Sequence, residues 1–121
     1  MRASVKEFVA REYLKREKEI IERRGFDRRL WLAAGEVGLL GLNIPSEHGG
    51  SGVADYRFAA VAIEELARAS IALASCLSVH FDVVTPYFDK FGTPRAAWLP
   101  RLARLRWRLR PVTSRRNLYL L

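Results

Sequence analysis

The sequence predicts an all-α protein, a bundle of four to five helices with an irregular basic tail. Three observations carry that expectation: apolar residues recur at helical spacings, cap residues and glycine stops cut the chain into helix-length pieces, and no segment reads convincingly as a strand. At 121 residues and 13.8 kDa there is room for one domain with one core. Half the residues are hydrophobic and 28% are charged, a globular composition.

The first helix is predicted over residues 3–24, where Val5, Phe8, Val9, Tyr13, Ile20 and Ile21 form one face. Glu12 and Arg16 are spaced for an i,i+4 pair, and Gly25 reads as the stop. Asp27 is the predicted cap of a second helix, with Phe26 before it as a staple and Leu30, Trp31, Ala34 and Val37 facing inward. Gly38 ends it. From Gly38 to Ala54 the glycines and Pro45 exclude a long helix and suggest an apolar loop packed on the core before a mobile glycine turn. Asp55 caps a third helix to about Ala69, with Phe58, Val61, Ala62 and Leu66 inward. Ser70 starts a fourth, which runs to about Phe91 with Gly92 as terminator and Pro86 expected to kink it or shift its last turn. Thr93 and Pro94 open a fifth, carrying Trp98, Leu99 and Leu102. From Arg104 the spacing of basic residues changes to two, so residues 1–103 form the predicted domain and 104–121 the tail.

The charge is divided the same way. Residues 1–89 hold 12 basic and 13 acidic side chains, and residues 90–121 hold nine basic ones and no acid. A near-neutral body excludes a nucleic-acid surface spread over the whole domain. The run Arg104 to Arg110 mixes arginines with Trp107 as single-strand sites do, but it lies in a segment with no evident fold, so nucleic acid is disfavoured as a partner. One cysteine, Cys76, excludes an internal disulfide, and with two histidines it excludes a structural zinc site; no metal is expected. The apolar run from Ile71 is interrupted at His80, the N-terminus has no signal-peptide core, and a cytoplasmic protein that does not enter membranes is expected.

Four constellations resemble chemistry and are read as structure. Ser78 and Asp82 share a helix face that His80 does not, so they cannot form a triad. His48 reads as a solvated loop residue. Gly35, Gly38 and Gly41 close a helix and follow no strand, unlike a dinucleotide cradle. Glu64 and Glu65 diverge by about 100° on a helix, which favours one solvated carboxylate and one that caps or pairs with an arginine at the edge of the core.

Three ordered blocks carry a resemblance. LWLAAGEVGLLGLNIPSEHGGSG (Leu30–Gly52), IEELAR (Ile63–Arg68) and FGTP…WLPRLA (Phe91–Ala103) are similar to the N-terminal helical domain of the acyl-CoA dehydrogenases. The resemblance implies flavin-dependent α,β-dehydrogenation of an acyl-CoA thioester. In that family a carboxylate base takes the α-proton, the β-hydride passes to FAD, and electrons go on to an electron-transfer flavoprotein. The main FAD-binding residues and the catalytic glutamate belong to later domains, so the resemblance assigns no catalytic or cofactor-binding residue here and implies that this chain alone binds no FAD. It maps one wall of the acyl pocket to Ser75, Cys76, Val79 and Val83, with Pro86 one place off the family's usual proline.

The departures are local. Only three residues separate Pro94 from Trp98, where the family usually has five, and the tail from Arg104 has no counterpart. Its arginine-rich, acid-free composition resembles a shifted reading frame. The expectation is a truncated or frame-shifted acyl-CoA dehydrogenase domain, inactive alone and prone to self-association through an exposed apolar face. The alternative is a small helical interaction module whose basic tail binds nucleic acid or an acidic partner.

Overall fold

The computed structural model describes residues 1–53, 55–92 and 95–104. Among these there are five helices and no strand. Helix α1 covers residues 2–23, α2 Arg28–Glu36, α3 Tyr56–Ala69, α4 Ile71–Phe91 and α5 Arg95–Arg104. A short 3-10 turn, Ser46–His48, interrupts the loop between α2 and α3. The predicted opening of α5 at Thr93 and Pro94, and the tail beyond Arg104, lie outside the described residues.

The caps form as their chemistry requires. Asp27 accepts from the Leu30 N–H at 3.1 Å, Asp55 from the Arg57 N–H at 3.0 Å and Ser70 from the Leu73 N–H at 3.2 Å. Gly38 takes φ +82 after α2, and Leu39 N–H reaches back to the Ala34 carbonyl at 3.0 Å, closing the helix as predicted. The stop of α1 falls one residue before its predicted place. Arg24, not Gly25, holds the left-handed position with φ 54, and Gly25 N–H closes the turn on the Ile20 carbonyl.

Helix α1 is not regular. Over Val9–Tyr13 it widens, and Leu14 N–H bonds the Val9 carbonyl five residues back; over Leu14–Arg16 it tightens before resuming. That distortion undoes the expected Glu12–Arg16 pair. Arg16 turns to Asp27 and Glu19, while the buried Glu12 accepts from Arg11 Nε at 3.0 Å and has Arg29 Nε 3.3 Å from its other oxygen. Ile21, predicted inward, is 62% exposed; about 100° round the helix from the buried Ile20, it falls off the stripe of Val5, Phe8, Val9, Tyr13 and Ile20.

The main core joins that stripe to Leu30, Ala33 and Ala34 of α2, Ala59, Ala62 and Leu66 of α3, and Leu73, Leu77 and Phe81 of α4. Leu39, Leu40 and Leu42 complete it, so the first half of the loop packs inward as predicted. Phe58 does not; it is 40% exposed. Helix α3 lies against both α1 and α4, and its small residues Ala59 and Ala62 permit that close contact. Phe58 stands about 100° away from Ala59 on the outer side.

A second cluster of Ile44, Leu99 and Ala103, flanked by Phe88 and Leu102, seats α5 on the loop and the end of α4. A Cβ on Gly35 would stand 3.0 Å from the Arg104 carbonyl, so glycine there lets α2 and α5 touch. The glycine turn is tied down by Ser51 N–H to the Gly41 carbonyl and Gly52 N–H to the Ile44 carbonyl, both 3.0 Å. Helix α4 is long and apolar enough to cross a membrane by length and composition, contrary to the reading that stopped its apolar run at His80. In the fold it is a bundle helix with Leu73, Ala74, Leu77 and Phe81 buried.

Candidate functional site

Helix α4 has two faces of opposite character. Leu73, Leu77, Phe81 and Thr85 are buried at steps of four, while Ser75, Val79, Val83 and Tyr87, with Cys76 beside them, are exposed at the same step. In a straight α-helix each step of four drifts by about 40°, so neither stripe would stay in line over three steps. The helix corrects the drift in its middle. Val79 N–H bonds the Ser75 carbonyl four residues back, but Thr85 N–H bonds the His80 carbonyl five back, a widened turn over Val79–Val84 that absorbs one extra residue. Of the two effects expected of Pro86, a kink or a shifted last turn, the hydrogen bonds show a shift of register just before it.

Of the four residues assigned to a pocket wall, Ser75, Val79 and Val83 stand on the exposed stripe and Cys76 beside it, with Val79 at 44% and Val83 at 59% exposure. The Cys76 thiol is pushed up by partial burial, which disfavours the thiolate a nucleophile needs. Ser78 Oγ donates to the Ser75 carbonyl at 3.2 Å, and Asp82 does not meet His80, so no triad forms.

His80 points inward. It is 6% exposed, donates from Nε2–H to the Leu102 carbonyl at 3.0 Å, and lies 5.8 Å from the Trp31 ring, linking α4 to α5 and α2. Burial holds its pKa below the ordinary histidine value, and the bond to Leu102 opposes that only in part. His48, read as solvated, is half-buried, with Nε2 3.6 Å from Glu47. Glu64 is exposed and Glu65 buried, as their divergence predicts, but Arg2 bridges both carboxylates and Glu64 pairs with Arg68 as well. Gly35 and Gly41 serve close packing against α5, not a phosphate.

Sequence reasoning missed Asn43 and Thr85. Both bond the Phe81 carbonyl, from Nδ2 at 2.8 Å and Oγ1 at 2.9 Å. The available signal was the step of four at Leu73, Leu77, Phe81 and Thr85 just before a proline. Among the described residues no group of three His, Cys, Asp or Glu is placed to hold a metal ion. FAD requires an enclosing surface and donors for its pyrophosphate. Two surface depressions among the described residues, one at Arg23, Gly25, Phe26 and Asp27 and one between α1 and α3, are both open and do not enclose a ligand.

The sequence profile described as "Acyl-CoA dehydrogenase, N-terminal domain" matches residues 1–106. The chain belongs to the acyl-CoA dehydrogenase family. The long-chain specific acyl-CoA dehydrogenase of Rattus norvegicus mitochondria is 38% identical over 92 residues, which cover 76% of this chain and 21% of that protein. An acyl-CoA dehydrogenase of Bacillus subtilis is 36% identical over 106 residues, 85% of this chain and 27% of that protein. Acyl-CoA dehydrogenase FadE12 of Mycobacterium tuberculosis is 40% identical over 81 residues, 61% and 19% respectively. The chain therefore spans about a fifth to a quarter of the curated acyl-CoA dehydrogenases it matches.

Proposed function

We propose that this domain supplies one wall of an acyl pocket in flavin-dependent α,β-dehydrogenation of acyl-CoA thioesters. The observation that supports this reading is the face of Ser75, Cys76, Val79 and Val83, exposed along one helix of the family's N-terminal domain and bearing no charge. An acyl chain is apolar and extended, and a straight uncharged stripe of small and branched side chains fits it without burying a charge. In the complete enzyme FAD would accept the hydride and an electron-transfer flavoprotein would receive the electrons. None of the residues described here is given the base or the flavin-binding role.

The purified 121-residue chain should show neither visible flavin absorbance nor oxidation of acyl-CoA. The wall itself is tested by exchanging residues 1–106 of this chain for the matched region of the B. subtilis relative. The exchange protein should oxidise acyl-CoA, and Val83→Trp should reduce kcat/KM for long acyl chains about tenfold more than for short ones. An active exchange protein whose chain-length profile ignores Val83→Trp would remove the wall reading.

A further inference from the structure

We propose that Asn43 is a positioning residue for the exposed face of α4: through the Phe81 carbonyl it fixes the widened turn that keeps Val83 in line with Ser75 and Val79. Its functional meaning rests on the pocket-wall reading; its geometry does not.

The turn has a vacancy in its own hydrogen bonding. With Thr85 N–H on the His80 carbonyl, the same register would next join residue 86 to Phe81. Residue 86 is proline and has no N–H. Phe81 is fully buried, and a buried carbonyl without a donor is costly, so the widened turn stands only if another group supplies one. Two side chains do. Thr85 Oγ1 donates at 2.9 Å, but it sits on the same helix and travels with the turn. Asn43 Nδ2 donates at 2.8 Å from 38 residues away, and so ties the turn to the rest of the domain.

The anchor is itself held. Next to Asn43, Ile44 is fully buried in the second cluster and its N–H bonds the Gly41 carbonyl at 3.1 Å, while the Leu42 carbonyl accepts from Ser51 Oγ at 2.6 Å. Without the Asn43 donor, the extra residue can migrate along α4. Each residue it passes then rotates by about 100°. Val83 lies within the turn and swings out of the stripe; Cys76 lies before it and stays.

The test uses the full chain. Cys76 is the single cysteine and is exposed, so a nitroxide attached there reports distance to the methyl groups of Val79 and Val83 by paramagnetic broadening. Asn43→Asp keeps the size and removes the donor; Asn43→Ser is the milder variant should the first not fold. Either should change the broadening of Val83 relative to Val79 by roughly twofold. Thr85 amide exchange should quicken about tenfold while Phe8 and Leu66 keep their rates. Unchanged Val83 broadening and Thr85 exchange, or a uniform rise at all three amides, would overturn the proposal. No acyl ligand is present, so that result counts against Asn43 alone, whereas an unaltered chain-length profile in Val83→Trp counts against the wall alone.

Discussion

Arg24 holds φ 54 at the end of α1, where an L-residue places Cβ against the following carbonyl oxygen. Arg24→Gly should therefore stabilise the domain by about 0.5–1 kcal/mol, read as a higher urea midpoint with unchanged slope. His80 makes a second prediction. Its folded pKa lies below the ordinary value, so in the window beneath about pH 6.5 the unfolded chain binds a proton that the folded chain resists. Stability should be complete above that pH and fall on acidification, by no more than about 1.4 kcal/mol per pH unit. Urea melts at pH 7.5 and 5.5 measure it, and His80→Gln should flatten the difference; an equal loss in both proteins would remove His80 as the cause. Neither residue's environment was legible in the sequence. Gly25 is the better left-handed residue by type, yet the backbone places Arg24 there, and nothing local announces that His80 faces the Leu102 carbonyl.

At the scale of elements, Ser70 has two duties. Its N–H closes α3 on the Leu66 carbonyl at 2.9 Å, and its hydroxyl caps α4 through the Leu73 N–H. Ser70→Ala should cost about 1 kcal/mol and Ser70→Gly only a few tenths, because glycine leaves the capping backbone open to water. Equal losses would show that the hydroxyl is not the capping group. Caps of this kind are local chemistry, which is why Asp27, Asp55 and Ser70 were found from sequence. The widened turns in α1 and α4 were not. Their hydrogen bonds skip one residue, and in α4 one of the two side chains that donate to the Phe81 carbonyl, Asn43, comes from a distant segment.

For the whole molecule, the face of α4 that is exposed among the described residues should set how the chain associates. Ile71, Val79, Val83, Tyr87 and Phe91 are large, apolar and exposed, the last at 66%. A contiguous stripe of this kind favours contact with another apolar surface. The chain should associate as concentration rises, with a melt that shifts accordingly. Val79→Lys combined with Val83→Lys should move sedimentation toward monomer without loss of far-UV helicity. A wild-type monomer at all concentrations with a sharp, concentration-independent melt would contradict this.

The sequence by itself determined the all-α class, the three cap residues, the glycine stop of α2 and the family, because each is written in residues close together in the chain. Its spacing puts Ser75, Cys76, Val79 and Val83 within about 100° of arc on a regular helix, and the widened turn then sets where Val83 stands in that arc. Only the tertiary structure decided which face of α3 turns inward, that Arg16 answers Asp27 and not Glu12, and that α4 carries an extra residue before Pro86. Those outcomes depend on how closely helices approach and on which distant donor reaches a buried carbonyl. Such contacts join residues tens of positions apart, and spacing along the chain does not encode them.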